Sequence, residues 1–283
     1  MTTLVIGGTG KTGRRVVERL VARGLPVRVG SRSGAPPFDW NEPASWLPVL
    51  QGSQAAYVTY YPDLAFPGAA DAVGDFARLA VANGVRRLVL LSGRNEAGAL
   101  LGEQAVRESG ADWTLVRSSF MNQNFSESVW LDAVRRGTLA APAGNVAEPF
   151  IDAEDIADVV VAALTEPGHV GQLYEVTGPQ LLTLTDVAEE IAAATGRELR
   201  YLPVTPEQFS AAMTAEGLPA DFVLGLTELF KEVMDGRGAY LSDGVQRALG
   251  RAPRDFRDYA RRTAASGVWT PAVAEPVAAP QAD

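Results

Sequence analysis

The fold is decided by residues 3–30, which read TLVIGGTGKTGRRVVERLVARGLPVRVG. Residues 3–6 are apolar and rich in β-branched side chains, as is typical of a buried strand. Residues 14–23 carry apolar side chains at helical spacing, and Gly24 follows where a glycine commonly ends a helix. Residues 26–29 have the composition of a second strand. This stretch therefore predicts a strand, a glycine-rich turn, a helix and a strand, which is a βαβ unit.

The turn has a glycine at every third position, Gly7, Gly10 and Gly13. Such glycines let the backbone approach a pyrophosphate, and the last one allows the helix to pack closely on the strand. The helix N-terminus behind them offers amide N–H groups and the positive end of its dipole to phosphate oxygens. The context favours a dinucleotide site over a turn without a ligand. A Walker-type phosphate loop is excluded, because Val5 stands where its first glycine would be.

Strands and helices continue to alternate through the first half of the chain. We expect strands at 55–60, 87–92 and 113–117, and helices at 69–83 and 97–109. Residues 34–52 are rich in proline and tryptophan, and we expect at most a short strand there, near 38–40. The alternation predicts an α/β fold with a Rossmann-type, doubly wound parallel sheet that is covered by helices on both faces.

In the second half of the chain, strands and helices no longer alternate regularly. It predicts a strand within 171–178 and helices at 126–136, 152–164, 184–195, 206–216 and 220–234. We therefore expect a dinucleotide-binding domain over residues 1–150, with 151–170 packing back on it, and a smaller, mostly helical C-terminal cap over 171–269. Residues 270–283 hold alanine, proline and valine without periodicity, which predicts a disordered tail.

The composition excludes several classes of site and partner. The chain has no cysteine, so disulfides, thiolate metal sites and cysteine nucleophiles are impossible, and it has a single histidine. The net charge of -9 repels phosphate backbones and argues against nucleic acid as a partner. No apolar run approaches the roughly 20 residues that cross a bilayer, and the N-terminus lacks the basic region of a signal peptide. We expect a cytoplasmic protein with no membrane partner.

Four acidic residues, Asp152, Glu154, Asp155 and Asp158, have the composition of a metal cluster. They stand at the predicted start of a helix, where carboxylates cap free N–H groups and interact favourably with the helix dipole. We interpret them as capping residues and expect no metal site.

The end of the second strand indicates which dinucleotide binds. An NAD site has an acidic residue there to accept hydrogen bonds from the ribose, but this sequence reads Gly30-Ser31-Arg32-Ser33. Arg32 can pair with a 2′-phosphate and stack on adenine, and Ser31 can donate a hydrogen bond to that phosphate. Lys11 adds a second cation in the glycine turn. We therefore expect NADP(H), with a solvated surface arginine as the alternative interpretation of Arg32.

Five further blocks follow the glycine turn and Ser31-Arg32 in a fixed order: YYP at 60–62, LLS at 90–92, VRSSF at 116–120, FIDAEDIA at 150–157 and YEVTGP at 174–179. With this set the chain resembles the NmrA-like group of atypical short-chain dehydrogenases, over about residues 3–260. That group includes NADPH-dependent quinone and azo-dye reductases, and also regulators that bind the cofactor without turnover. The resemblance implies cofactor contacts at Thr9, Gly10, Lys11, Thr12, Gly13, Arg32, Thr59, Tyr60, Tyr61, Ser92 and Ser118.

Most short-chain dehydrogenases use a Tyr-x-x-x-Lys pair, and this sequence has none. Only Lys11 and Lys231 are lysines, and neither has a tyrosine four residues before it. Hydride transfer to an electron-poor acceptor remains possible, because a quinone or enone needs only hydrogen-bond help at its oxygen. Tyr60 and Asn122 follow predicted strand ends at the ligand edge of the sheet, and we expect them to be the catalytic residues.

The segment after the fifth predicted strand, residues 120–125 (FMNQNF), combines apolar and amide side chains. We expect Phe120, Met121, Asn122 and Phe125 to contact the substrate, because aromatics and methionine form adaptable apolar walls and an amide can orient a carbonyl. The cap can add Trp130, Met213, Phe222, Phe230 and Met234, for which core packing is the alternative. Arg94 and Arg117 leave open the alternative that the substrate carries a carboxylate or phosphate group.

Three functions remain open. We favour an NADPH-dependent reductase that transfers hydride directly, without flavin, to a planar, uncharged conjugated acceptor such as a quinone, an enone or a polycyclic aromatic ketone. The second is a non-catalytic NADP(H)-binding sensor that acts through a protein partner, and the third is an isomerase or epimerase with tightly bound cofactor. The sequence does not determine the oligomeric state, and a homodimer is one of the states that it allows.

Overall fold

The computed structural model describes residues 2–128 and 130–271. Its strands are β1 (Thr2–Ile6), β2 (Val27–Gly30), β3 (Ser53–Val58), β4 (Arg87–Gly93), β5 (Asp112–Ser118), β6 (Thr138–Ala141), β7 (Gln172–Val176) and β8 (Arg200–Pro203). Six of them form one parallel sheet in the order β2-β1-β3-β4-β5-β7, and β6 pairs with β8 in a second, two-stranded parallel sheet. The predicted Rossmann-type parallel sheet is confirmed.

The helices are α1 (Lys11–Ala22), α2 (Trp46–Leu50), α3 (Ala69–Ala82), α4 (Ala97–Arg107), α5 (Trp130–Arg136), α6 (Ala153–Thr165), α7 (Leu184–Thr195), α8 (Pro206–Ala215), α9 (Ala220–Val233), α10 (Gly244–Leu249) and α11 (Phe256–Ala265). Among the described residues, none of these helices is both long and apolar enough to cross a membrane.

The main sheet separates two apolar layers. In β1, Leu4 and Ile6 face the layer covered by α2, α3 and α4, whereas Val5 faces the layer beneath α1 and α6. This alternation follows from the period of two along a strand, and both layers are buried. Helices on both faces leave only the ends of the parallel strands open, so a ligand site is expected at their carboxyl ends.

No strand forms at residues 38–40, where we expected at most a short one. The structure has a 3-10 turn at Pro43–Ser45 and then α2. Phe38, Trp40 and Trp46 pack edge to face on Phe76 of α3, with ring centroids 5.3–5.9 Å apart. Burying these large rings decides the path of the backbone here, so the segment leaves the sheet.

The second half also differs from its predicted arrangement. We assigned the strand within 171–178 to the cap, but β7 pairs with β5 at the edge of the main sheet. The short helix α10 packs on β7, because Gly244 approaches the backbone of Glu175 so closely that a Cβ would meet its carbonyl oxygen at 2.0 Å. The remaining C-terminal elements share a separate aromatic core with α5. Most of the tail predicted at 270–283 lies outside the described residues.

Candidate active site

A cavity of about 590 Å³ opens where the strands of the main sheet end. It is lined by the glycine turn after β1 and by the segments after β3, β4 and β5, and α9 of the cap closes its far side. Pockets of this size hold small molecules and cofactors. The cap thus covers the carboxyl edge of the sheet and leaves a cavity between them.

The glycine turn is shaped by two close approaches. Gly7 has a φ of +66°, and a Cβ there would lie 2.5 Å from Thr59 Oγ1. At Gly13 a Cβ would lie 2.1 Å from the carbonyl oxygen of Gly7, so the close packing predicted for the last glycine is confirmed. Gly10 caps α1 without a side-chain hydrogen bond. The first three N–H groups of α1, those of Lys11, Thr12 and Gly13, have no backbone acceptor among the described residues and can bind phosphate oxygens.

Lys11 and Thr12 both line the cavity, but their side chains have different hydrogen-bond partners. Lys11 lines the cavity, where its Nζ donates to Asn124 Oδ1 at 2.5 Å, and burial lowers the pKa of its ammonium despite the nearby Glu127. The Thr12 hydroxyl accepts a hydrogen bond from the buried Tyr57 hydroxyl at 2.9 Å. Lys11 thus presents a cation to the cavity, while Thr12 anchors α1 to the sheet.

The residues after β2 lie outside the cavity. Arg32 is exposed and forms no ion pair within the described part of the chain, and the hydroxyl oxygens of Ser31 and Ser33 lie 3.4 Å apart. Thr9 is also exposed and does not line the cavity. β2 lies beside β1 in the sheet, so Ser31 and Arg32 stand one strand away from the glycine turn.

The segment after β3 forms one wall of the cavity. The Trp40 indole donates to the Thr59 carbonyl at 3.0 Å, and the Thr59 hydroxyl donates to the Ile6 carbonyl at 3.2 Å. The Tyr60 ring packs on Trp40 with centroids 5.1 Å apart, and partial burial raises the pKa of its phenol. Tyr61 stands at the rim with 72% of its surface exposed. The three predicted residues therefore lie together, and Tyr60 remains protonated at neutral pH.

The two predicted serines, Ser92 and Ser118, line the cavity, and the hydroxyl group of each already donates a hydrogen bond within the protein. Ser92 donates to Glu103 at 2.7 Å, and Arg117 binds both oxygens of the same carboxylate at 2.8 and 2.6 Å. Ser118 donates to the Ser119 carbonyl at 2.6 Å. Because a hydroxyl has one hydrogen, each serine can only accept a hydrogen bond from a ligand in this arrangement.

Two predicted substrate contacts need correction. Phe120 and Met121 line the cavity, but Asn122 and Phe125 are fully buried and do not. After β5 the chain enters a 3-10 turn at Asn122–Phe125, which turns both side chains away. Phe125 stacks on Trp130 in the cap core at 5.2 Å, and the side-chain amide of Asn122 has no hydrogen-bond partner among the described atoms. Neither side chain reaches the cavity, so the structure does not support the predicted substrate contacts of Asn122 and Phe125 or the predicted catalytic role of Asn122.

The cap supplies the aromatic wall. Trp130, Phe222, Phe230 and Met234 line the cavity as predicted, whereas Met213 is buried in the cap core. Sequence reasoning missed other apolar residues of this wall, which are Leu64, Phe66, Leu226, Leu229 and Val233. The spacing of the last three along the predicted helix α9 was a usable signal, because it places them on one face.

Charged side chains besides Lys11 also line the cavity, and of these the sequence singled out Arg94 alone. Asp63 and Glu96 follow β3 and β4, and burial raises the pKa of both carboxyls. Asp63 raises the pKa of Glu96 further, whereas the hydrogen bond with Glu96 and the charge of Lys11 favour the ionised form of Asp63. Arg94, Glu127 and Glu148 also belong to the charged lining.

The acidic residues at the start of α6 have structural partners. Asp152 caps the helix, since its Oδ1 accepts from the backbone N–H of Glu154 at 2.9 Å, which confirms the predicted capping role. Glu154 pairs with Arg15, and Asp155 accepts from the backbone N–H of Arg254 at 2.6 Å. The described part of the chain holds no group of three or more potential metal ligands.

Comparisons with known proteins agree with this architecture. The family model described as the NmrA-like family matches residues 102–260. The NAD(P)H azoreductase of Xenophilus azovorans is 35% identical, over 93% of this chain and 98% of its own length. The agroclavine dehydrogenase of Claviceps fusiformis is 31% identical, over 92% of this chain and 96% of its own.

A solved structure shares the whole fold. Triphenylmethane reductase of Citrobacter sp., complexed with NADP(H), has a TM-score of 0.75 at 19% identity, over 93% of this chain and 100% of that chain. From the family match and the sequence relatives, which extend over nearly the whole chain, it follows that this protein belongs to the NmrA-like family.

Proposed function

We propose that this protein is an NADPH-dependent reductase that transfers hydride to a small conjugated acceptor. The observation that carries the proposal is one continuous cavity, which joins the N-terminus of α1 to the aromatic wall of the cap. Such a cavity can hold a dinucleotide and a flat molecule together at the strand ends. Its azoreductase relative, whose name specifies NAD(P)H, supports the reaction class.

The residues present fit NADP(H). Gly7, Gly10 and Gly13 leave room for the pyrophosphate, and the first three N–H groups of α1 have no competing backbone acceptor among the described residues. Arg32 and Ser31 would hold the 2′-phosphate, because Arg32 is exposed and Ser31 partly exposed at the end of the neighbouring strand. The bound cofactor supplies a hydride from its nicotinamide ring.

The shape of the cap favours a planar acceptor. The Phe120 and Trp130 rings are nearly parallel, at 21° and 5.4 Å between centroids, and Phe230 packs across both. Rings of this kind bind flat, apolar, conjugated molecules. Tyr60 can donate a hydrogen bond to such a molecule, since its phenol stays protonated. This arrangement supports quinones, enones and azo compounds as acceptors without a Tyr-x-x-x-Lys pair.

The test separates binding from turnover. Titration with NADPH and with NADH, followed by nicotinamide fluorescence, measures cofactor binding. Loss of NADPH absorbance is then followed with a panel of quinones, enones and azo dyes, and deuterium at the nicotinamide C4 position reports direct transfer to the acceptor. We expect label in the product of at least one acceptor. Tight NADPH binding without oxidation by any member of the panel would refute the reductase and favour the sensor.

A further inference from the structure

One end of the cavity is polar. Arg94, in the segment after β4, and Glu148, between β6 and α6, both line it, and both side chains are 2% exposed. The remaining cavity wall on the cap side is mostly aromatic and aliphatic. Two ionisable groups that are this deeply buried are costly to keep unless they have a function or full pairing.

The guanidinium of Arg94 is held rigidly and incompletely paired. Its Nε donates to Glu175 Oε1 at 2.9 Å, its Nη2 donates to the Tyr240 carbonyl at 3.0 Å, and its plane lies 3.8 Å from the centre of the Tyr240 ring. Nη1 is buried and has no hydrogen-bond partner among the described residues. The N–H groups of Nη1 are therefore available to a ligand in the cavity.

Glu148 is fixed through its backbone, and its carboxyl group makes no hydrogen bond among the described residues. Its backbone exchanges two hydrogen bonds of 2.9 Å with Leu182. Oε1 is buried without a partner, and Oε2 lies 3.9 Å from Arg94 Nη1, which is too long for a hydrogen bond. Gly238 packs against the carboxyl, and a Cβ there would lie 2.0 Å from Oε1. The unsatisfied donor Arg94 Nη1 and the unsatisfied carboxyl group of Glu148 thus lie close enough for one ligand atom to contact both.

The charges around Glu148 leave it easily protonated. Burial raises the pKa of Glu148 to about 7, and Asp235 at the end of α9 acts in the same direction, although Arg94 opposes them. Glu175 on β7 and Tyr240 take up two of the guanidinium's hydrogen-bonding groups. Asp235 is itself paired with Arg237. A substantial share of Glu148 therefore carries a proton at neutral pH.

We propose that Arg94 and Glu148 bind the heteroatom of the acceptor that gains negative charge, and that Glu148 gives it a proton. This rests on the proposed reductase function. Hydride adds at one end of the conjugated system, and the displaced electron pair moves to the carbonyl oxygen or azo nitrogen at the other end. That atom takes the proton of Glu148, and the electron pair of the broken O–H bond stays on the carboxylate oxygen. Water returns a proton to Glu148, so NADPH and one proton are consumed for each acceptor reduced.

This arrangement specifies the acceptor more closely. The reducible system must end in a small hydrogen-bond acceptor, such as a carbonyl oxygen, because Arg94 Nη1 and the protonated carboxyl are both donors. A free carboxylate on the acceptor would repel the ionised form of Glu148 left after proton transfer. The structure therefore favours neutral carbonyl or azo acceptors over acidic ones.

The decisive variant is Glu148→Gln, which keeps the shape of the side chain and removes its proton. Glu189→Gln on the exposed face of α7 serves as the matched control. With a carbonyl acceptor, we expect Glu148→Gln to lower kcat by about a hundredfold or more. The parent and the control should lose activity as the pH rises through about 7, whereas this limb should vanish in Glu148→Gln. Glu148→Asp, which retains a carboxyl, should keep a weakened limb.

Two measurements do not depend on turnover. Infrared difference spectra should show a carboxylic acid band in the parent and in Glu189→Gln that titrates near neutral pH and is missing in Glu148→Gln. Calorimetry with a phenol as a product analogue should show weaker binding to Arg94→Met than to the parent. An unchanged rate and pH profile in folded Glu148→Gln, or an unchanged infrared band, would overturn the proposal. A parent that binds the phenol and shows the band, yet oxidises no NADPH, would refute the reductase function instead.

Discussion

Replacing Gly13 with alanine tests whether the glycine turn is built as the structure indicates. The added methyl group would lie 2.1 Å from the Gly7 carbonyl oxygen, 2.7 Å from its carbonyl carbon and 2.9 Å from Gly8 Cα. All three atoms belong to backbone, so no side chain can move aside. The N-terminus of α1 must therefore move away from β1, and the N–H groups that point at the cofactor site must move with it.

The size of the effect follows from these contacts. Overpacking a rigid site costs up to about 3 kcal/mol, and contact with backbone places this substitution at the upper end. At about 2–3 °C per kcal/mol for a chain of this size, the Tm should fall by about 6–9 °C. We expect calorimetric NADPH titrations of Gly13→Ala to show at least about a tenfold higher Kd, equivalent to about 1.4 kcal/mol.

Gly10→Ala is the matched control for stability. Its methyl group would lie 3.2 Å from the same Gly7 oxygen, and Gly10 has a φ of -83°, which alanine adopts readily. A loss of about 1 kcal/mol is expected, because alanine is a poorer helix cap than glycine. If Gly13→Ala melted with the parent and bound NADPH with the parent's Kd, the turn would tolerate the methyl group and this reasoning would fail.

Three further predictions concern the cofactor, metals and acid. Arg32→Ala should weaken NADPH binding by about tenfold and leave NADH binding unchanged, because an exposed charge-assisted contact is worth about 1.5 kcal/mol; equal Kd values for both cofactors in the parent would contradict it. Reductase activity should survive exhaustive dialysis against EDTA, and a loss reversed by a divalent ion would show that the acids of α6 bind metal. Hydrogen bonds from Arg19 and Arg15 outweigh burial and lower the pKa of Glu154, so its stabilising effect is present above its ordinary pKa and lost as the pH falls. Glu154→Gln should therefore lower the Tm at pH 7 more than at pH 3, and an equal drop at both would exclude this coupling.

The first half of the chain could be predicted because its signals are local. Strands β1, β3, β4 and β5 are short apolar runs bounded by polar or glycine residues, and the helices between them show regular apolar spacing. The role of Gly13 follows from its place between strand and helix. These features need no knowledge of which distant segments meet.

The second half depends on contacts that no local pattern reveals. Strand β7 has an ordinary sequence, and only its pairing with β5 places it in the main sheet. Strands β6 and β8 are four residues each and gave no periodic signal. Arg94 and Glu148 meet only because the chain returns to the sheet edge after β6. Buried ionisable residues of this kind have no sequence signature, since their cost and their use both arise from the folded surroundings.

The two ends of the cavity set different requirements for an acceptor. The cap is held over the strand ends where Phe66 packs against Gly225 of α9, and where Glu232 accepts from the Ala97 N–H at 2.8 Å. Its aromatic and methionine side chains attract any flat apolar molecule, because such contacts are not directional. Hydrogen bonds from Arg94 and Glu148 would be directional and would act on a single atom. With the proposed function, a cavity built this way would select acceptors by flatness and by the position of one hydrogen-bonding atom, and molecules of quite different outline would satisfy it.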